Sequence, residues 1–112
     1  MKIAFTTKGK DWDSMMDARF GRTEYILVYD DSTDSIEVID NTDVVNDAHG
    51  AGPKTAERLF RLNPDVLITG NGPGGQAAKV LEQTGMKIFT GAGDMTVKEA
   101  YQAYNDNNLK LF

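Results

Sequence analysis

Cysteine is absent from the 112 residues of this chain. Its absence excludes disulfide bonds, catalysis by a thiolate, and ligation of zinc or an iron-sulfur cluster by protein thiolates. Long apolar runs are missing too: none approaches the roughly 20 residues that a transmembrane helix needs, so we expect no membrane partner. The first residues enter a strand pattern without the architecture of a signal peptide, which favours a cytoplasmic location.

Positive charge is absent from one long stretch. Residues 23–47 carry eight acidic side chains and no Lys or Arg, and because the net charge is −5, the rest of the chain sums to +3. An acidic chain lacks the basic face of a general nucleic-acid binder, so we expect no nucleic-acid partner. A local anion pocket in the remaining residues is compatible with this charge distribution.

The pattern of apolar residues indicates one α/β domain that spans residues 1–112, since a chain of this length can bury one core but not two. Strands are predicted at 2–7, 24–30, 35–40, 66–68 and 86–90, helices at 53–62, between Gly75 and Gly85, and from Val97 to Tyr104, and a frayed end at 105–112. Strand-helix-strand crossovers occur only in the second half. This order predicts a mixed sheet flanked by helices.

The most informative stretch is the glycine loop Gly70–Gly75, which follows the buried strand Val66–Ile68 and precedes a helix. Glycines let backbone N–H groups approach a bound group without a Cβ in the way. The following helix would direct its positive end at an anion. The loop also satisfies the G-x-G-x-x-G pattern of dinucleotide sites, but Pro73 lacks an N–H. Only 37 residues follow Gly75, too few for the rest of that fold.

His49 is the only histidine. A lone histidine is more often structural, but neutral imidazole is a common metal ligand, and Gly50 and Gly52 beside it precede a helix start with free N–H groups. Arg19 and Arg22 have guanidinium groups suited to anionic ligands, although pairing with a nearby carboxylate is the simpler use for at least one of them. No Ser-His-Asp set or acid-base pair can be assembled, so we do not expect an enzyme.

The loop 8–23 is long and unusually apolar, since it contains Trp12, Met15, Met16 and Phe20. Long loops inside small domains are commonly functional. Anchoring of these side chains to the core explains them equally well. Both interpretations stay open.

Three short motifs occur in this order along the chain: Phe20-Gly21-Arg22, His49-Gly50-Ala51-Gly52 and Gly70-Asn71-Gly72-Pro73. Together with the opening Met-Lys-Ile-Ala, they resemble the dinitrogenase iron-molybdenum cofactor biosynthesis family over nearly the whole chain. The stretch Asp17-Ala18-Arg19-Phe20-Gly21-Arg22 is most similar to the orange-protein branch of that family.

The resemblance implies a ribonuclease-H-like α/β fold, with a five-stranded mixed sheet in the order 3-2-1-4-5 and three flanking helices. It also implies a non-enzymatic carrier that holds a preformed anionic metal-sulfur cluster without covalent attachment. In the orange-protein branch that cluster is a mixed molybdenum-copper sulfide, and elsewhere it is an iron-molybdenum cofactor or its precursor. The implied function is storage, assembly or delivery by a monomer or weak dimer, with cofactor-assembly or cell-division-associated proteins as partners.

Carried over to this sequence, the family's motifs imply a single pocket. Its predicted lining is Met15, Met16, Arg19, Phe20, Gly21, Arg22, His49, Gly50, Gly52, Gly70, Asn71, Gly72, Pro73 and Gly74. A cluster whose sulfides are its own can be held by N–H groups, cationic side chains and apolar walls. Some carriers use a cysteine that this chain lacks, which leaves His49 as the one predicted metal ligand.

Two other functions stay open. The first is a nucleotide- or phosphate-binding protein that uses Gly70–Gly75. The second is a cofactor-free interaction domain whose glycine loops only make turns.

Overall fold

The computed structural model describes residues 1–47 and 50–112, which form one six-stranded sheet with helices on both faces. The strands are β1 (Lys2–Thr7), β2 (Tyr25–Asp30), β3 (Ser35–Asp40), β4 (Val66–Ile68), β5 (Lys87–Thr90) and β6 (Lys110–Leu111). The helices are α1 (Ala51–Leu62), α2 (Gly75–Glu82) and α3 (Val97–Asn105), with a 3-10 turn at Thr42–Val44. No helix in the two described ranges has the length and apolar character needed to cross a bilayer.

The sheet has the order β3-β2-β1-β4-β5-β6, so the five predicted strands occur in the predicted order. β4 runs parallel to both of its neighbours, with Val66 paired to Ile3 on one side and to Lys87 on the other. The remaining pairs are antiparallel. All three residues of β4 are buried, as is typical of a strand covered on both faces.

Alternation along β1 divides the core into two layers, because successive side chains of a strand point to opposite faces. Ala4 belongs to the layer of α1 and α2, together with Leu59 and Leu81. Ile3 and Phe5 belong to the other layer, which α3 covers. Helices α1 and α2 are therefore neighbours on one face, and α3 lies alone on the other.

The prediction of a frayed end at residues 105–112 is wrong. Lys110–Leu111 pairs antiparallel with β5, and the Phe112 N–H donates to the Ile88 carbonyl oxygen over 2.8 Å. The sheet therefore has six strands rather than the five predicted. A strand of two residues is too short to show an alternating pattern, so the sequence does not reveal its pairing.

Helix α1 begins at Ala51 rather than at the predicted first residue, Pro53. Gly50 forms the N-cap with a φ of 81°, a left-handed conformation that glycine adopts without strain. This cap allows the helix to start two residues before the proline. At the start of α3, the predicted capping box is confirmed, since Thr96 and Glu99 form both of its hydrogen bonds.

Candidate functional site

Three loops meet at the edge of the sheet where the parallel strands β1, β4 and β5 end. The Asn71 N–H donates to the Ala18 carbonyl oxygen over 2.8 Å, and the Gly91 N–H donates to the Gly70 carbonyl oxygen over 3.0 Å. A Cβ at Gly70 would lie 2.6 Å from Ala18 Cα and 2.8 Å from Gly93 Cα. The loops therefore pack backbone to backbone, and only glycine fits at position 70.

The first turns of α1 and α2 lie beside each other at this edge. A Cβ on Gly52, in α1, would lie 3.9 Å from the Cβ of Ala77, in α2. Gly21 packs against α1, since a Cβ there would lie 2.9 Å from Gly52 Cα, and its carbonyl oxygen accepts a hydrogen bond from Thr55 Oγ1 at 2.8 Å. The loop after β1 and the two helix starts form one surface, which we call the α1–α2 surface.

Among the described residues, no side chain caps the start of α1 or of α2. The N-cap residues are Gly50 and Gly74, which carry no side-chain acceptor. Within the described ranges, no acceptor pairs with the N–H groups of Gly75, Gln76 and Ala77. Such groups give a helix start a partial charge of roughly +0.5 elementary charge. Two helix starts side by side therefore favour an anion.

Polar groups beneath this surface form hydrogen bonds with one another. Thr6 Oγ1 donates to the Asp17 carbonyl oxygen over 3.0 Å and lies 2.8 Å from Thr69 Oγ1. The Asp17 side chain is buried, and its carboxylate accepts hydrogen bonds from Arg19 Nε and Nη2, both at 3.2 Å. These hydrogen bonds raise the pKa of the Arg19 guanidinium. Arg19 is thus paired with a carboxylate, the simpler use expected for at least one arginine.

Arg22 is half-buried and fastens the loop after β1 to the segment before α1. Its Nη1 donates to the Val45 carbonyl oxygen over 2.9 Å and more weakly to that of Val44 over 3.4 Å. In the part of the chain that the structure describes, no carboxylate pairs with this guanidinium. The Arg22 guanidinium is therefore a cationic group at the 3-10 turn before α1 whose charge no described carboxylate neutralises.

Three apolar residues predicted to line the site are placed elsewhere. Met16 is fully buried in the layer under α3 with Phe5, and Phe20 is buried in the layer under α1 and α2. Met15 is 44% exposed, but it pairs with Thr96 at the start of α3. The structure brings neither methionine to the α1–α2 surface, and Phe20 supports that surface from below.

His49, the predicted metal ligand, lies outside the described residues. Among residues 1–47 and 50–112, no three side chains of His, Asp or Glu converge in the way that a site for a metal ion requires. The described part of the site offers backbone N–H groups and one cationic side chain. These groups suit an anion rather than a bare cation.

The glycine loop contacts Phe112, a residue that was not among the predicted site residues. A Cβ on Gly72 would overlap the Cε1 and Cδ1 atoms of Phe112 and would lie 3.1 Å from its Cζ. Pro73 is buried, and a Cβ on Gly74 would meet nothing within 4 Å. The only signal for this contact in the sequence is an aromatic residue in a segment without a pattern.

A separate cavity of about 470 Å³ opens on the face of the sheet that α3 covers. Its lining residues are Trp12, Asp13, Asp34, Lys98, Tyr101 and Gln102. The rings of Trp12 and Tyr101 lie 5.6 Å apart. This α3 cavity is distinct from the α1–α2 surface. It therefore serves as a second location against which ligand binding at the α1–α2 surface can be compared.

The sequence profile of the dinitrogenase iron-molybdenum cofactor family matches residues 1–107. The chain belongs to this family. Among solved structures, this family member is similar to the apo form of the orange protein from Desulfovibrio gigas, with 32% identity and a TM-score of 0.90 over 99% of this chain and 92% of the other. It is also similar to a NifB-like protein of Thermotoga assigned to the DUF35 family, with 36% identity and a TM-score of 0.82 over 98% of this chain and 91% of the other. No curated protein matches the sequence. The resemblance inferred from the three motifs is confirmed.

Proposed function

We propose that this family member is a cytoplasmic, non-enzymatic carrier of a preformed anionic metal-sulfur cluster, which it stores, helps to assemble or delivers. The cluster is of the molybdenum-copper sulfide or iron-molybdenum cofactor precursor type. The observation that carries the proposal is the pair of uncapped helix starts that touch at the α1–α2 surface. The family and the orange-protein relative support a metal-containing cargo.

The surface suits an anion that brings its own sulfides. Backbone N–H groups donate hydrogen bonds to such sulfides, so the protein needs no thiolate of its own. The two helix starts contribute roughly +0.5 elementary charge each, and the Arg22 guanidinium adds a full charge, for about +2 in total. Gly21 and Gly52 have no Cβ, so the loop after β1 packs directly on the first turn of α1, and that turn lies close to α2.

We assign the binding role to residues at the α1–α2 surface and the glycine loop, namely Gly21, Arg22, Gly50, Gly52, Asn71, Gly72 and Gly74, and we assign the buried Gly70 and Pro73 a role in shaping that loop. His49 is the proposed metal ligand, because it precedes the N-cap of α1 in sequence. Arg19 and Met16 are left out, because the first is paired with Asp17 and the second is in the core.

Anaerobic reconstitution with tetrathiomolybdate and copper tests the proposal. A visible charge-transfer band should co-elute with the protein, and Arg22→Ala and His49→Ala should each weaken its retention. Arg61→Ala is the matched control, because Arg61 lies in the last turn of α1, where it pairs with Glu57 at 2.6 Å. Colour that elutes free of protein at every ratio would contradict the proposal. Unchanged retention in both variants would remove Arg22 and His49 from the site.

The same helix starts also favour a second function, binding of a nucleotide or phosphate through Gly70–Gly75. Equilibrium dialysis against nucleotides and inorganic phosphate separates this function from cluster binding. Saturable nucleotide binding without cluster retention would favour it. A cofactor-free interaction domain would instead retain a protein partner with no requirement for metal.

Three further expectations remain predictions. The ribonuclease-H-like classification is the first, since a mixed sheet flanked by three helices occurs in several fold families. Partnership with cofactor-assembly or cell-division-associated proteins is the second. A monomer or weak dimer is the third, and sedimentation of the purified protein over a range of concentrations measures it.

A further inference from the structure

The ring of Phe112 packs directly on the glycine loop. A Cβ on Gly72 would overlap two ring carbons of Phe112, so the ring would have to move to accommodate it. Phe112 is nevertheless 59% exposed, so burial of apolar surface explains only part of the placement of its ring. The contact gives a specific reason for glycine at position 72, which neither a turn nor a positive φ requires.

The segment that carries this ring, Lys110–Phe112, is lightly attached to the sheet. It pairs with β5 through two residue pairs, and the Phe112 N–H donates to the Ile88 carbonyl oxygen over 2.8 Å. Thr90 Oγ1 adds only a long hydrogen bond of 3.4 Å to the Lys110 carbonyl oxygen. Leu111 is 59% exposed and so contributes little burial. Elements with few buried contacts open at low free-energy cost.

Two adjacent residues in the middle of the glycine loop contact other segments of the chain. The Asn71 N–H is fixed to the Ala18 carbonyl oxygen, and the adjacent Gly72 is in contact with the Phe112 ring. Gly74, two residues further on, caps α2 and has no neighbour within 4 Å of a Cβ. The contact between Gly72 and the Phe112 ring thus lies three residues before Gly75, the first residue of α2.

We propose that Phe112 is a positioning residue of the anion site: its ring holds Gly72, and docking of the Lys110–Phe112 segment is thereby coupled to ligand binding at the start of α2. This inference depends on the proposed function for its ligand. Coupling is reciprocal, so a ligand that orders the loop must also stabilise the docked segment. A ring that only covers apolar surface would show no such response.

The test uses the full chain, with the cluster formed anaerobically from tetrathiomolybdate and copper. Phe112→Ala should release the colour at least about 5-fold faster than wild type, the change that corresponds to the lower end of typical coupling energies. Gly72→Ala should also accelerate release, because its Cβ displaces the ring. The double variant should release the colour no faster than the faster of the two single variants, because it has no Phe112 ring for the new Cβ to displace. Phe112→Tyr keeps the ring and should release the colour as slowly as wild type. Leu111→Ala removes the side chain of an equally exposed residue in the same segment and should also release it as slowly as wild type.

Hydrogen exchange of the Phe112 amide gives a second readout. Cluster addition should slow this exchange in wild type, and Gly72→Ala should accelerate it in the ligand-free protein. Equal release rates for wild type and Phe112→Ala, or exchange that does not respond to the cluster, would overturn the coupling. If wild-type protein retains no colour at all, the proposed function fails, and the two failures are thus distinguishable.

Discussion

Gly70→Ala should destabilise the protein more than any other alanine substitution in the glycine loop. The new Cβ would lie 2.6 Å from Ala18 Cα, 2.8 Å from Gly93 Cα and 3.0 Å from the Ala18 carbonyl oxygen. Carbon atoms pack at about 3.5–4.0 Å, so the backbones of the neighbouring loops must move apart by roughly 1 Å. All three contacts are with backbone atoms, so no side-chain rotation relieves them. Overpacking of this kind costs about 1–3 kcal/mol.

Thermal unfolding followed by circular dichroism measures this cost. With about 2.1 cal/mol/K of unfolding entropy per residue, a loss of 1–3 kcal/mol lowers the Tm of this chain by about 4–13 °C. Gly75→Ala is the matched control, because a Cβ there meets nothing within 4 Å. The control should be stabilised by about 0.4–1 kcal/mol through the unfolded state. A Tm for Gly70→Ala equal to or above that of wild type would refute the packing of the three loops.

The remaining predictions concern single hydrogen-bonded groups. Arg22→Ala should lower the free energy of unfolding in urea by about 1–3 kcal/mol, because a charged donor to backbone carbonyls is lost, and Arg22→Lys should lose less cluster retention. Hydrogen bonds from Thr96 lower the pKa of Glu99. These bonds therefore stabilise the folded protein fully above the ordinary glutamate pKa of 4.5, and this stabilisation is lost as the pH falls through the lowered pKa of Glu99. Urea midpoints measured against pH should show this acid loss in wild type, and Glu99→Gln should remove it. A hydrogen bond to Asp34 raises the pKa of Tyr29 to about 12, so its stabilisation is complete below pH 10 and is lost as the pH rises towards 12. NMR titration of the Tyr29 ring should show the raised pKa, and Asp34→Asn should bring it back towards 10.

The sequence predicts the strands and helices that carry long periodic patterns. β1 and β3 have the predicted bounds, since each contains six residues between clear turn signals. β6 was missed, because two residues carry no period and their pairing depends on β5, which lies about twenty positions earlier in the chain. Local propensity does not contain such long-range pairing.

In the candidate site too, features that depend on nearby residues could be predicted from the sequence, and contacts between distant residues could not. The glycine loop and the arginines could be found from residue type, and the pairing of Arg19 with Asp17 is the short-range contact expected for one of them. Whether a methionine faces the ligand or the core depends on which layer its loop enters, so the burial of Met16 could not be inferred from its chemistry. The contact between Gly21 and Gly52 joins positions thirty-one residues apart and is visible only in the folded chain.

We propose above that the uncapped starts of α1 and α2 hold the cluster through their backbone N–H groups. An NMR titration of the 15N-labelled protein with the molybdenum-copper sulfide tests it most directly. The largest amide shifts should fall on Ala51, Gly52 and Gly75–Ala77. Shifts that gather instead around Trp12 and Tyr101 at the α3 cavity, or an absence of amide shifts at saturating cluster, would contradict it.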